Sequence, residues 1–143
     1  MRGLYTLIID SDEQDLCIGK LRLLHFNKGY YAYTGSARGR GGLLRVRRHI
    51  AVSRGENTAR KWHIDYLLAA ARPVRAVTSE TDADMECEIA GEIGKAADAV
   101  PGFGCSDCGC VSHLHYAPAR PNLERAVISA HMKYLGCASV QDI

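Results

Sequence analysis

The stretch Tyr31–Ile50 has the sequence Y-A-Y-T-G-S-A-R-G-R-G-G-L-L-R-V-R-R-H-I. Its first residues alternate, which predicts a strand with Tyr31 and Tyr33 on the same face. The glycines and arginines that follow predict a loop. Leu43–Val52 then has the spacing of a helix with an apolar stripe of Leu43, Leu44, Val46 and Ile50. The stretch therefore predicts a strand, a glycine-rich loop and a helix in direct succession.

The side chains of this stretch suit the recognition of phosphate. Arg45 and His49 are four residues apart and share one face of the predicted helix. Backbone N–H groups at Gly35-Ser36 can approach an anion, and a guanidinium can bind phosphate oxygens in a bidentate manner. Because phosphoryl transfer depends mainly on positioning and charge stabilisation, the pattern indicates chemistry on a phosphodiester. Tyrosines that only pack the core are the alternative interpretation.

Two more strands are predicted before this stretch, over Leu4–Asp10 and Leu16–Phe26. Polar turns connect them to a third strand over Tyr30–Gly35, so the first third of the chain predicts an antiparallel meander. If the first and third strands are neighbours, Tyr5 lies beside Tyr33.

After the stretch, helices and strands alternate. Helices are predicted over Lys61–Ala71, Ala83–Ala97 and Leu123–Leu135, and strands over Val74–Ser79 and Ser112–Ala117. Thr81 or Asp82 is expected to cap the second of these helices, and Pro118–Pro121 is expected to break the chain. The predicted fold class is α+β: a small, mainly antiparallel sheet flanked by helices in a single domain. It is expected to span residues 1–117, with a C-terminal helical extension over 118–143 packed on the same domain.

The charge of the chain is uneven along its length. The net charge is only +2, which excludes a uniformly basic surface. Eight Lys/Arg residues and one acid lie between Arg38 and Lys61, whereas seven acids and one lysine lie between Glu80 and Asp98. A localised basic patch is what binding to a phosphate backbone requires.

The resemblance to a known family rests on several blocks in a fixed order. These are Gly3-Leu4-Tyr5, Tyr33-Thr34-Gly35-Ser36-Ala37, Arg45, Arg48-His49, Trp62–Leu68, Glu86–Ala90 and Gly102–Leu114. Together they resemble the GIY-YIG nuclease superfamily over roughly residues 3 to 117. The match is to its stand-alone, Uri-type branch, whose domain has long been of unknown function.

The resemblance implies a role for each matched residue. Tyr5 matches the tyrosine that activates or supports the attacking water, and Tyr33 matches the tyrosine that positions water or phosphate. Arg45 matches the arginine that binds the scissile phosphate, and His49 matches a position that orients water or a proton transfer. Glu86 matches the glutamate that ligates one divalent cation. Mg²⁺, or Mn²⁺, fits such a site because it takes one carboxylate and keeps several waters.

Other residues of the basic region are expected to bind the substrate. They are Gly35, Ser36, Arg38, Arg40, Arg47, Arg48 and His63. Arg47 is also a competing choice for the phosphate-binding arginine, and Glu88 is a second choice for the metal ligand. Glu88 would point about 200° around the helix from Glu86, so the two cannot share a face.

A cluster of cysteines near residue 108 leaves three interpretations open. Cys108, Cys110 and His113, with Cys87 or Cys105, could ligate a structural Zn²⁺. Simple buried thiols are the interpretation that comes first, zinc is the second, and a disulfide such as Cys87–Cys108 is the third.

The predicted function is a metal-dependent endonuclease that hydrolyses DNA phosphodiester bonds. A non-catalytic nucleic-acid-binding module of the same fold is the alternative, and a zinc-stabilised domain that binds a protein through its last helix is more distant. No apolar run approaches the roughly 20 residues that cross a bilayer, so no membrane association is expected and a cytoplasmic location is predicted.

Overall fold

The computed structural model describes residues 2–37, 43–105 and 109–143. Within them the strands are β1 (Gly3–Ser11), β2 (Gln14–Ile18), β3 (Arg22–Phe26), β4 (Gly29–Ala37), β5 (Arg72–Glu80), β6 (Asp98–Ala99), β7 (Leu114–Ala117) and β8 (Ser139–Asp142). The helices are α1 (Leu44–Ser53), α2 (His63–Leu68), α3 (Glu86–Ile93) and α4 (Arg120–Leu135).

Six strands form one antiparallel sheet in the order β6-β7-β4-β1-β5-β8. β1 lies between its partners β4 and β5, and both of its faces are covered. Residues Leu4 to Ile9 are therefore buried without interruption, as expected of a strand that contributes to two cores. The α+β class and the mainly antiparallel sheet with flanking helices are confirmed.

The segment predicted as one strand over Leu16–Phe26 is a hairpin instead. Gly19 has φ of 50°, in the left-handed region that glycine adopts without strain. The chain therefore reverses between β2 and β3, which pair only with each other among the described residues. β1 pairs directly with β4, so the predicted meander is wrong. The neighbouring position of the strands of Tyr5 and Tyr33 is confirmed.

Helices cover the sheet on both faces. α1, α2 and the β2–β3 hairpin pack on the face of Tyr5, Leu7 and Ile9. α3 and α4 pack on the face of Leu4 and Ile8. Alternation along β1 thus separates two apolar cores, each of which includes several fully buried aliphatic side chains worth about 1.5–3 kcal/mol apiece.

α1 differs from prediction in the surface that it buries, and α3 differs in how it begins. In α1, Leu44 is 53% exposed, and the buried residues are His49 and Val52. The predicted apolar stripe is wrong at Leu44, whereas Leu43 and Val46 pack against the core. His49, which was not part of the stripe, is turned toward the sheet. α3 begins at Glu86, and no side chain of the described residues caps it. Thr81 Oγ1 accepts a hydrogen bond from the Ala83 N–H, so it stabilises a turn ahead of the helix.

The C-terminal region begins its helix earlier than predicted. α4 starts at Arg120, and Pro121 lies in its first turn, where a missing N–H costs nothing. The division proposed at residue 117 stays a prediction; 118–143 comprises α4, which packs on the sheet, and β8, which pairs with β5. β6 and β8 were not predicted. Among the described residues, no helix is long and apolar enough to cross a membrane.

Candidate active site: a cleft between two tyrosines, an arginine and a glutamate

A cleft of about 350 Å³ opens beside β1 and β4, where α1, α2 and α3 meet the sheet. It gathers residues that are far apart in the chain. Its lining consists of Tyr5, Tyr33, Gly35, Ser36, Arg45, His49, Trp62, Asp84, Glu86, Cys87, Gly104 and His113. All five residues predicted as catalytic are brought together here.

Tyr5 and His49 form the floor of the cleft. The Tyr5 hydroxyl lies 2.7 Å from His49 Nε2, and both residues are 1% exposed. Burial raises the pKa of Tyr5 well above its usual value, and burial lowers the pKa of His49 to about 4. At neutral pH the pair is therefore an uncharged phenol and an uncharged imidazole that share one hydrogen bond. In the Nδ1–H tautomer of His49, Nε2 accepts the proton of the tyrosine hydroxyl.

Tyr33 lies beside this pair on the same face of the sheet. Its ring centroid is 6.5 Å from that of Tyr5 and 6.0 Å from that of His49. Burial raises the pKa of Tyr33, and the negative charge of Glu86 adds to that effect. Tyr33 therefore offers a neutral hydroxyl to the cleft.

Gly35 makes room for the Tyr5 side chain. The two residues are opposite one another in the β1–β4 ladder. A Cβ atom on Gly35 would lie 2.5 Å from the Tyr5 hydroxyl oxygen and 2.7 Å from Cζ, closer than side-chain carbons pack. The glycine of the predicted phosphate loop is thus required here by the position of Tyr5.

Arg45 lies at the rim of the cleft, in the first turn of α1. Its Nη1 donates a 2.6 Å hydrogen bond to the Ser36 carbonyl at the end of β4. Its guanidinium lies 5.0 Å from the ring centroid of Trp62, a favourable cation–π arrangement. Two contacts therefore hold the charge at the mouth of the cleft.

Arg48 braces α1 against α2. Its guanidinium makes bidentate hydrogen bonds of 2.8 and 3.0 Å to Asp65, which is fully buried, and lies 4.4 Å from the Trp62 ring. Asp65 also accepts hydrogen bonds from the N–H groups of Lys61 and Trp62. Burial acts to raise the pKa of Asp65, but these donors outweigh it and lower that pKa. Arg48, predicted to bind substrate, is thus a partner of Asp65.

Glu86 approaches the cleft from the opposite side, as the first residue of α3. Its Oε1 lies 3.0 Å from His113 Nδ1, and its side chain is 22% exposed. Asp84 lines the same cleft two residues earlier. Carboxylate oxygens are the donors that Mg²⁺ and Mn²⁺ prefer, so the donor chemistry on this side fits a divalent cation.

Three of the four candidate zinc ligands lie together behind Glu86. Cys110 Sγ lies 2.8 Å from Cys87 Sγ and 2.8 Å from His113 Nε2, and Cys87 Sγ lies 3.8 Å from that nitrogen. Cys108, the fourth candidate, lies outside the described residues.

The other predicted substrate-binding residues have different positions. Arg47 lies on another surface, with Leu44, Ile50 and β8. His63 Nδ1 accepts a hydrogen bond from the Gly104 N–H. Arg38 and Arg40 lie outside the described residues. Gly35 and Ser36 line the cleft.

Sequence reasoning missed the roles of Trp62, Asp65 and Asp84. Trp62 contacts the guanidinium groups of Arg45 and Arg48 as well as the Lys61 ammonium. Asp84 could have been found as a second carboxylate two residues before Glu86. The role of Asp65 had no signal in the sequence, because it depends on the packing of α1 against α2.

No curated protein and no solved structure matches the chain significantly. A family model does match, over residues 4–136, from the central strand to the end of α4. That range covers most of the chain and includes every described residue of the cleft. The chain therefore belongs to the family described as domain of unknown function DUF123.

Proposed function

We propose that the cleft hydrolyses phosphodiester bonds of DNA with a bound divalent cation, and that the chain is a Uri-type nuclease of the GIY-YIG superfamily. The observation that carries the proposal is the 2.7 Å contact of the Tyr5 hydroxyl with His49 Nε2, in one cleft with Arg45 and Glu86. A proton acceptor, a phosphate-binding cation and a hard metal ligand are the groups that phosphodiester hydrolysis needs.

Tyr5 and His49 together accept the proton of the attacking water. The pKa of Tyr5 is raised, so the phenol is not itself ionised at neutral pH. Its oxygen accepts a hydrogen bond from the water while its own proton is shared with His49 Nε2. As the water attacks phosphorus, its proton moves to the Tyr5 oxygen and the tyrosine proton moves to the imidazole. Tyr33 orients the water or a phosphate oxygen from the neighbouring position.

Arg45 binds the scissile phosphate. Its guanidinium is fixed by Ser36 and Trp62, so little side-chain freedom is lost when an anion binds. Charge that develops on the phosphate oxygens in the transition state strengthens this contact, and such differential binding lowers the barrier.

Glu86, with Asp84 nearby, would hold the Mg²⁺ or Mn²⁺. When bound, the cation polarises the phosphate and stabilises the departing oxygen. Glu86 begins α3 and Asp84 lies two residues ahead of that helix, whereas Arg45 comes from α1. All three line the cleft, so the scissile phosphate would lie between the carboxylates and the guanidinium.

The basic surface beside the cleft supports a nucleic-acid substrate. Trp62 lines both the cleft and an adjoining groove. Lys20, Arg60 and Lys61 also line that groove, and all three are exposed. A strand whose phosphate enters the cleft would thus find three further cations along its backbone.

The test is cleavage of end-labelled single-stranded, duplex and branched DNA with Mg²⁺ or with a chelator. We expect the wild-type protein to cut at least one form with Mg²⁺ only. Glu86→Gln should cut about 100-fold more slowly or worse. Glu88→Gln is the matched control, because Glu88 is exposed on the same helix and does not line the cleft; it should keep the wild-type rate.

Two results would contradict the proposal. One is equal cleavage by the wild type and Glu86→Gln. The other is salt-sensitive DNA binding without cleavage of any form, which would establish the non-catalytic binding module instead.

A further inference from the structure

The cluster of Cys87, Cys110 and His113 lies immediately behind Glu86. Cys87 follows Glu86 in the first turn of α3, and the other two residues come from the segment before β7. Their Sγ and Nε2 atoms lie within 4.8 Å of one another. Three soft or borderline donors from two separate segments converge on one point, beside but distinct from the carboxylates of the cleft.

The backbone fixes this geometry. The Gly102 N–H donates to the Val111 carbonyl and the His113 N–H to the Phe103 carbonyl, which holds Gly102 and Phe103 beside the backbone that carries Cys110 and His113. The His113 carbonyl accepts a hydrogen bond from the Thr34 N–H on β4. His113 is only 4% exposed, so its ring cannot turn away into solvent.

The two nitrogens of His113 face different partners. Nδ1 lies 3.0 Å from Glu86 Oε1, and Nε2 lies 2.8 Å from Cys110 Sγ. A carboxylate can only accept, so Nδ1 carries the hydrogen and Nε2 directs its lone pair toward the sulfurs. An imidazole that donates one N–H to a carboxylate and binds metal through the other nitrogen is the usual arrangement in zinc proteins.

We propose that Cys87, Cys110 and His113 bind a Zn²⁺ ion, with Cys105 as the fourth ligand, and that this ion holds His113 in the orientation that positions Glu86. Cys105 Sγ lies 3.9 Å from Cys110 Sγ. Cys105 lies outside the group of three whose donor atoms are within 4.8 Å of one another, so it would have to move toward Cys87 or His113 on binding. Three thiolates and one imidazole form a standard structural zinc set. Zn–S bonds of about 2.3 Å in tetrahedral geometry place two sulfurs about 3.8 Å apart. Cys87 and Cys110, now 2.8 Å apart, would separate by about 1 Å on binding.

The donor chemistry assigns different ions to the two neighbouring centres. Thiolates favour zinc strongly over magnesium, whereas the carboxylates of the cleft are donors that suit Mg²⁺ or Mn²⁺. Zinc uptake releases the thiol protons to solvent, so binding tightens as pH rises. The zinc site does not depend on the proposed function. Only the effect of the zinc site on Glu86 as a catalytic ligand rests on that function.

Zinc content of the purified full chain tests the site directly. We expect about one Zn²⁺ per chain in the wild type and in the double variant Cys17→Ser/Cys137→Ser. This is the matched control, because both of its cysteines are exposed and outside the cluster. Cys110→Ser should lose the zinc. In case Cys110→Ser fails to fold, Co²⁺ replacement in the wild type should give the intense absorption of a tetrahedral, thiolate-bound ion.

The Glu86→Gln variant tests the link between the zinc site and Glu86 without changing a zinc ligand. It keeps the zinc ligands but loses the charge that accepts from His113 Nδ1, so zinc affinity in a chelator competition should fall about 10- to 100-fold. A wild type that takes up neither ion, or one whose mass shows a Cys87–Cys110 disulfide in place of metal, would overturn the zinc site. An unchanged zinc affinity in Glu86→Gln would overturn its link to Glu86. None of these results depends on whether the protein cuts DNA.

Discussion

The two faces of strand β1 each bury one histidine against a hydroxyl, and only one of the two histidines lies in the cleft. His49, on α1, lies 2.7 Å from the Tyr5 hydroxyl. His131, on α4, lies 2.9 Å from the hydroxyl of the next residue, Thr6. Burial lowers the pKa of both to about 4. Burial and a shifted pKa therefore do not by themselves identify a catalytic histidine.

The difference lies in what surrounds the second ring nitrogen. His131 Nδ1 pairs with the Ser79 hydroxyl, inside a closed apolar core. His49 Nδ1 has no hydrogen-bond partner within residues 2–37, 43–105 and 109–143, and its ring lines a cleft beside Arg45. We infer that His131 stabilises the fold and that His49 serves the chemistry.

The largest expected effect on DNA cleavage comes from removing Arg45, which lies in the cleft beside His49. Arg45→Ala should slow DNA cleavage about 100- to 1,000-fold, because it removes the cation that stabilises the transition state. Arg47→Ala is the control, since Arg47 is exposed on a different surface; its single-turnover rate should stay close to that of the wild type. Equal losses in the two variants would mean that the basic helix acts only through its overall charge.

A smaller loss is expected when the Tyr5–His49 contact is displaced without removing either side chain. Gly35→Ala places a methyl group 2.5 Å from the Tyr5 oxygen, so the ring must move. A displacement of about 1 Å can cost on the order of 100-fold in rate. Gly91→Ala, where an added Cβ meets no atom of the described part of the chain within 4 Å, should cut normally. A fully active Gly35→Ala variant would show that the position of Tyr5 is not critical.

His131→Gln should lower the stability of the fold and leave the cleavage rate unchanged. It disturbs hydrogen bonds to Thr6 and Ser79 in a closed core, so the free energy of unfolding should fall by about 2–4 kcal/mol. Urea unfolding measures this loss, with the exposed Ser129→Ala on the same helix as control. Among molecules that remain folded, the cleavage rate should be unchanged. A slow but stable His131→Gln protein would remove the distinction between the two faces.

The lowered pKa values of the buried histidines predict how stability depends on pH. Burial lowers the pKa of His49, His115 and His131 to about 4, against about 6.5 when unfolded. Between these values the unfolded chain binds more protons, so stability should fall as pH drops from about 6.5 to 4. Each shift corresponds to about 3 kcal/mol. Urea unfolding at pH 7 and 4.5 should show the decrease, and His131→Gln should flatten it; a pH-independent midpoint would contradict these assignments.

The sequence predicted the residues that meet at the cleft better than it predicted the strands and turns around them. Strand alternation and the order of the matched blocks brought Tyr5, Tyr33, Arg45, His49 and Glu86 together correctly, because those residues lie on regular elements. The hairpin at Gly19 was missed because a single glycine inside an apolar run also suits a strand irregularity. β8 was missed because all four of its residues are exposed and lack an alternating pattern.

The sequence could not predict which charged residues lie at the cleft and which form ion pairs elsewhere, since these contacts depend on tertiary packing. Arg45 and Arg48 belong to the same basic run, yet one lies at the rim of the cleft and the other pairs with Asp65. Likewise, nothing in the helix around His131 indicates that its ring would meet Thr6 and Ser79.

Only His49, and not His131, is expected to take part in cleavage, and one assay compares the two. Single-turnover cleavage of the preferred DNA form with Mg²⁺ should be measured for the wild type, His49→Gln and His131→Gln at a temperature where all three are folded. We expect His131→Gln to cut at the wild-type rate and His49→Gln to be about 100-fold slower or worse. Equal rates for all three proteins would contradict this expectation.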